Sequence, residues 1–217
     1  SVYALVPIIV YCFDKDNVHP TDIEIKKMVK WFYYSQIRKR YISQLPQKLD
    51  RDLRTLIEVK SPFDELLGVI EEERSLEIMP HEFEGRSTTH PLFGTIRWYL
   101  KSQDAVCLTT GVGLRRNMGA KYQLELDHIF PYSRLKSEGY GKSNRVKYQL
   151  AQEMTNRAIL TQSANRTKSN KTALDYLTSA KERFPTALEL QCIPEDPELW
   201  KLENYEEFLK ERRKMLA

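Results

Sequence analysis

The chain has 217 residues, 41% of them hydrophobic, with Lys+Arg 34 against Asp+Glu 30, which is material for one globular body or two small ones and too much for a peptide-sized scaffold. Mean hydropathy is −0.55, and the longest apolar run, Tyr3 to Phe13 with Pro7 inside it, falls well short of the roughly 20 residues that a bilayer-spanning helix needs. A membrane helix is excluded on that ground, and without a basic leader or a small-residue cleavage site the run reads as a core segment of a cytoplasmic protein. Cys12, Cys107 and Cys192 are odd in number, far apart and free of any CxxC pattern, so they read as buried or incidental thiols rather than a zinc ribbon or a redox pair.

A net charge of +4 is mild, and by itself it does not mark a nucleic-acid binder. Its distribution is more informative: residues 1–120 carry 17 basic and 16 acidic side chains, residues 121–180 carry 10 against 5, and residues 181–217 carry 7 against 9. The excess lies in one stretch, which fits either a polyanionic partner or a solvated basic face.

In chain order, Thr21 to Glu24 has the form of a capping box and precedes Ile25, Met28, Val29, Phe32, Tyr33 and Ile37 at helical spacing, which predicts a helix from about Asp22 to Tyr41. Leu49, Leu53, Leu56 and Ile57 after Pro46 predict a second helix. Phe63, Leu66, Leu67 and Ile70 predict a third, with Ser61 and Pro62 at its N-cap and first helical position. Pro91 followed by Leu92, Ile96 and Leu100 predicts a fourth, and Pro80 to Pro91 reads as a loop whose His81 and His90 match no metal spacing. Beyond residue 104 the texture turns β-prone. Ala105 to Thr110 ends in Gly111-Val112-Gly113, a turn signal, and Tyr122, Leu124 and Leu126 alternate towards Asp127 as one face of a strand. Pro131 to Gln152 reads as a long polar loop, Arg157 to Thr161 as a second strand, and the residues from Ser163 as a helix through Asn165 and Lys168. Further helices are predicted at Leu174 to Arg183 and near the end, where Tyr205, Phe208, Leu209 and Met215 face one way.

The residues that carry chemistry are Asp127-His128-Ile129-Phe130-Pro131, Asn156 at the entrance to the second strand, and Asn165 to Lys168 at the following helix. Phosphodiester hydrolysis needs a base near neutrality, which suits histidine, and a hard cation at the phosphate, which takes few protein ligands, all oxygens. One aspartate and one asparagine carbonyl supply enough. Asp127 and His128 point to opposite faces of a regular strand, so a shared site predicts a bend there.

In DHIFP (127–131), NRAILT (156–161) and NRTKSN (165–170) the sequence closely resembles the HNH, or His-Me finger, endonucleases, in the variety with Asp-His at the first position. The resemblance implies a ββα-metal module in which His128 is the general base, Asp127 and Asn165 hold Mg²⁺ or Mn²⁺, and Asn156 is the middle asparagine that keeps the loop and His128 in register. It further implies Lys168 as a phosphate contact, with Arg166 and Lys171 as weaker ones, and DNA as the substrate, left with 5′-phosphate ends. More broadly, WFYYSQIRKRY and LDRDLRTL joined to LELDHIFP and NRTKSNKTALDYL resemble the C-terminal half of GmrSD-like restriction proteins. That implies a partner module using NTP outside this chain, since no Walker motif is present, and a fragment of a longer protein.

The expected architecture is α+β: a helical domain over 1–103, an HNH module over 104–182 and a helical extension over 183–217. The expected function is metal-dependent DNA cleavage in defence against foreign or modified DNA, with no membrane association; double-strand breaks would require a homodimer or two successive visits. The alternatives are a silent HNH scaffold that binds DNA or protein, and a helical interaction domain using Trp31, Phe32, Tyr33 and Tyr34.

Overall fold

Local signals set most helix boundaries in the computed structural model, which describes residues 1–13, 19–115, 123–168 and 171–217, without the side chains of 166 and 167. The chain is predominantly helical, with one two-stranded antiparallel sheet among the described residues. Its contacts divide it into two compact units, residues 1–78 and 79–217, so the first division falls well before residue 103.

In the first unit, a turn at Val2–Ala4 leads into α1, Leu5–Phe13. Only one face of this apolar run is core: Ala4, Pro7 and Tyr11 are buried, whereas Val2, Ile9 and Phe13 are exposed, as the periodicity of a single helix flank dictates. The capping box forms, with the Thr21 N–H donating to Glu24 Oε2 at 2.7 Å and the Glu24 N–H to Thr21 Oγ1 at 3.3 Å, and it opens α2, Asp22–Ile37. The helix stops short of Tyr41 because Lys39 adopts a φ of 56°. That turn carries Arg40 and Tyr41 inward to Asp52, on α3, Leu45–Glu58. Helix α4, Pro62–Glu73, presents Phe63, Leu66 and Ile70 to Trp31, Met28 and Tyr11. Trp31 is fully buried, and Phe32 and Tyr34 pack against the same cluster, so these three aromatics belong to the core rather than to a partner surface.

Arg40 and Asp52 form a buried ion pair, with Nε donating to Oδ2 at 2.7 Å while a second guanidinium N–H and the Tyr41 hydroxyl donate to the same carboxylate. Burial and the adjacent carboxylate push the Tyr41 hydroxyl well above its usual pKa. Asp52→Ala leaves the buried guanidinium with only the half-exposed Glu73, 3.3 Å away, as counter-charge and is expected to cost the first unit about 3–5 kcal/mol, measured by urea denaturation. An unchanged midpoint would contradict the role given to this pair.

The second unit begins with a turn at Pro80–Phe83 and α5, Pro91–Ser102. Residues 105–114 form a tight reversal rather than a full strand, closed by a Val106–Gly113 bridge and by the Leu114 N–H donating to the Ala105 carbonyl at 2.8 Å. Strand β1, Leu124–His128, pairs antiparallel with β2, Arg157–Thr161, in a register of Asp127 with Ala158 and His128 with Arg157. The start of the first predicted strand, Tyr122, lies outside the described residues. Between the strands, where a long polar loop was expected, stand α6, Tyr132–Ser137, and α7, Arg145–Ala151. Asn144 caps α7 by accepting the Lys147 N–H at 3.2 Å.

Helix α8, Gln162–Lys168, lies against both strands. It is followed by α9, Ala173–Arg183, α10, Ala187–Leu190, and α11, Tyr205–Leu216. Residues 183–217 are not an appendage: Phe208 and Leu209 are fully buried, and Phe130 lies between the rings of Tyr205 and Phe208 with centroids 5.0 and 4.9 Å away. The inward face of α11 is Tyr205, Phe208, Leu209 and Arg212, while Met215 is exposed. The helical period selects a residue seven after Tyr205, and that residue is an arginine.

Candidate active site

The strand ladder ends at Asn156. The Ile129 N–H donates to the Asn156 main-chain carbonyl at 2.8 Å and the Phe130 N–H to its Oδ1 at 2.9 Å. In return, Nδ2 donates to the carbonyls of Phe130 at 3.2 Å and Ala151 at 3.3 Å. With the residue wholly buried, its carboxamide substitutes for the backbone partners that β1 loses as it turns into Pro131. The bend expected between Asp127 and His128 therefore comes later, at Ile129 and Phe130, and β1 stays regular through His128.

This regularity sorts the candidate residues by face. Glu125 and Asp127 share the face covered by α8: Asn165 Nδ2 donates to Glu125 Oε2 at 2.9 Å, and Lys168 Nζ to Asp127 Oδ2 at 2.6 Å. Lys168 is buried and also donates to the His128 carbonyl, so its ammonium is occupied by protein instead of open to a phosphate. Burial pulls its pKa down, and the Asp127 carboxylate opposes that shift. The Tyr176 ring lies 5.0 Å from the same ammonium. Lys171 is exposed and lines a small hollow with Lys168 and Arg183; the Arg166 side chain lies outside the described residues.

His128 occupies the opposite face with its cross-strand partner. Arg157 approaches Nδ1 at 3.0 Å and donates to Gln152 Oε1 at 2.8 Å. A guanidinium only donates, so Nδ1 is the acceptor and the neutral ring carries its proton on Nε2. Nε2 is buried and has no hydrogen-bond partner among the described residues. Burial, reinforced by the Arg157 charge, brings the imidazole pKa from its usual 6.5 down to about 4, which keeps the ring neutral at physiological pH. Tyr132 stacks on it with ring centroids 6.1 Å apart.

No group of three or more His, Cys, Asp or Glu side chains among the described residues could hold a metal ion. A smaller oxygen set remains. Asp127 Oδ1 and Asn165 Oδ1 accept no hydrogen bond from the described residues, and one carboxylate with one amide carbonyl is the sparse, hard donor set that suits Mg²⁺ or Mn²⁺. The chemistry of the residues fits such an ion, although Lys168 holds the other Asp127 oxygen.

Two supports were not evident in the sequence. Arg212 is buried without a carboxylate and donates to the carbonyls of Thr155 at 2.6 Å, Arg157 at 2.7 Å, Cys192 at 3.0 Å and Gln191 at 3.1 Å. It thereby brackets Asn156 on both sides, and burial lowers its pKa to about 10. Glu153, also fully buried, accepts the Gly85 N–H at 2.7 Å and a bidentate pair from Arg213 at 2.8 and 2.7 Å. The helical period of α11 contained the signal for Arg212; nothing in the linear order marks Arg157 as the neighbour of His128, because that depends on strand register.

Asn156→Ala removes three side-chain hydrogen bonds and is expected to destabilise the second unit by about 2–4 kcal/mol. Asn156→Asp should rescue little, since it can still accept from the Phe130 N–H but sets a second oxygen against two carbonyls. Denaturation midpoints equal to wild type for both variants would contradict the role assigned to this residue. Comparison of the chain with protein-family models, with curated proteins and with solved structures returns no match.

Proposed function

We propose that this chain is a metal-dependent endonuclease of the HNH type that hydrolyses DNA phosphodiester bonds, as the nuclease part of a restriction protein directed against foreign or modified DNA. The observation that supports this most directly is the buried Asn156 carboxamide bound to both polar groups of the Phe130 backbone, two residues after His128. The DHIFP and NRAILT segments are thus in contact, the Lys168–Asp127 bond joins NRTK to them, and Asn165 on α8 stands on the side of β1 that carries Asp127.

His128 acts as the base through Nδ1. Its neutral state supplies the lone pair, but Arg157 holds that nitrogen at 3.0 Å, so Arg157 must withdraw to let a water in. Gln152 already accepts from the other end of the guanidinium and provides a place for it to remain. The Arg157 charge, once beside a phosphate, opposes the negative charge building on it. Asp127 and Asn165 would hold Mg²⁺ or Mn²⁺, which would supply charge stabilisation at the leaving 3′ oxygen. Lys168 pairs with the Asp127 carboxylate and ties the His128 carbonyl to α8, a positioning role. On this reading an NTP-dependent module lies outside the chain, and double-strand cleavage takes a homodimer or two visits.

A second reading, a silent scaffold that binds DNA or protein without cutting, is favoured by the occupancy of Asp127 by Lys168 and of His128 Nδ1 by Arg157, and by the regular strand that sets Asp127 and His128 on opposite faces. Plasmid cleavage with Mg²⁺ or Mn²⁺ separates the two. Loss of the base in His128→Ala is expected to slow cleavage by on the order of 10²–10⁴-fold. Equal cleavage by wild type and variant, or DNA binding with no metal-dependent cleavage by either, would contradict the nuclease assignment.

A further inference from the structure

Residues 131–152, between the two strands, carry five basic side chains, Arg134, Lys136, Lys142, Arg145 and Lys147, against one acid, Glu138. Their excess of four equals the net charge of the whole chain. Several surface cations elsewhere in the second unit are paired with nearby carboxylates, as in Lys181–Glu195, Lys201–Glu198, Lys210–Glu207 and Lys214–Glu211. Lys136, Lys142 and Arg145 are exposed and have no carboxylate partner among the described residues. Unpaired like charges clustered on one surface repel one another, and a bound polyanion relieves that repulsion.

The cluster also has a shape. Tyr132, Lys136, Gly139, Gly141, Lys142 and Ser143 surround an open hollow of about 480 Å³. Gly139 takes a φ of 85° with nothing within 4 Å of where a side chain would begin, so backbone borders the hollow without obstruction. The surrounding helices are fixed from behind: Leu135 is fully buried, the Tyr140 hydroxyl donates to Glu206 at 2.7 Å, and the Tyr205 hydroxyl donates to the Leu150 carbonyl at 2.8 Å. One wall, Tyr132, is the ring that stacks on His128. The hollow is therefore preorganised, cationic and continuous with the side chain assigned to the chemistry.

We propose that the α6–α7 segment is the surface that grips the DNA backbone beside the cleaved bond, with Lys136, Lys142 and Arg145 on successive phosphates and Tyr132 between them and His128. This deepens the nuclease reading and rests on it for the position of the scissile phosphate. The contacts are to phosphate, so they fix the strand's path without selecting a sequence.

The experiment measures binding of a fluorescent DNA duplex by anisotropy between 50 and 200 mM KCl, in EDTA, using His128→Ala protein so that nothing is cut. Adding Lys136→Gln, Lys142→Gln and Arg145→Gln is expected to weaken binding on the order of 10–100-fold at low salt and to flatten the slope of log affinity against log salt by about 3. Lys210→Gln with Lys214→Gln, on α11, is expected to change neither. No DNA binding by the parent, or equal binding by parent and triple variant, overturns the proposal, and in the latter case cleavage by wild type would leave the nuclease reading standing. Binding lost in the triple variant while wild type fails to cut supports the surface and removes the nuclease reading instead. Loss of binding to phosphatidylserine vesicles with DNA binding untouched would overturn it in favour of a membrane surface, and an equal preference for single-stranded RNA that survives the triple substitution would overturn it as well.

Discussion

One buried carboxamide determines how the centre of the second unit is arranged. Asn156 accepts and donates where β1 can no longer pair with β2, closing the Phe130 N–H and carbonyl and reaching Ala151. Without it a strand end would be buried with unpaired polar groups, each costing about 1–3 kcal/mol. With it, His128 is fixed as the last ladder residue, Phe130 is delivered between Tyr205 and Phe208, and α6 starts directly after Pro131. Arg212 extends the same logic from α11 by binding the carbonyls on both sides of Asn156.

Much of the electrostatics around this frame is met within the protein, although His128 Nε2 and Arg157 Nε are buried without a hydrogen-bond partner among the described residues. Asp127 is held by Lys168, and Arg157 donates to His128 and Gln152. Such buried pairs are costly to break singly and act mainly to fix geometry. On the proposed reading, phosphate oxygens accept from Arg157 and an oxygen-liganded cation shares Asp127, so that a polyanionic substrate displaces both partners, and the exposed cations of residues 131–152 supply the attraction from a distance.

The helices were largely legible from the sequence because their signals are local. The Thr21–Glu24 box, Pro46, Pro62 and Pro91 mark starts that the structure keeps, and the 157–161 strand falls where its β-branched and apolar residues place it. Errors came where long-range partners decide. Arg40 and Tyr41 leave their helix for Asp52; residues 131–152 gain two helices that are short but anchored through Leu135 and Tyr140; and Arg212 takes an interior position that a hydrophobic pattern assigns to a neighbour. For the site, the three motif segments could be read as one constellation, but the face each side chain takes could not. Lys168 in particular reads from the sequence as a phosphate contact, and in the structure its ammonium meets Asp127, since only the packing of α8 on β1 determines what it faces.

The most direct test of the central assignment is an anomalous difference map from a crystal soaked in Mn²⁺. A peak is expected at the oxygens of Asp127 and Asn165, with Lys168 shifted from the Asp127 carboxylate. A map with no peak there, and Lys168 still paired with Asp127 at saturating Mn²⁺, would contradict it.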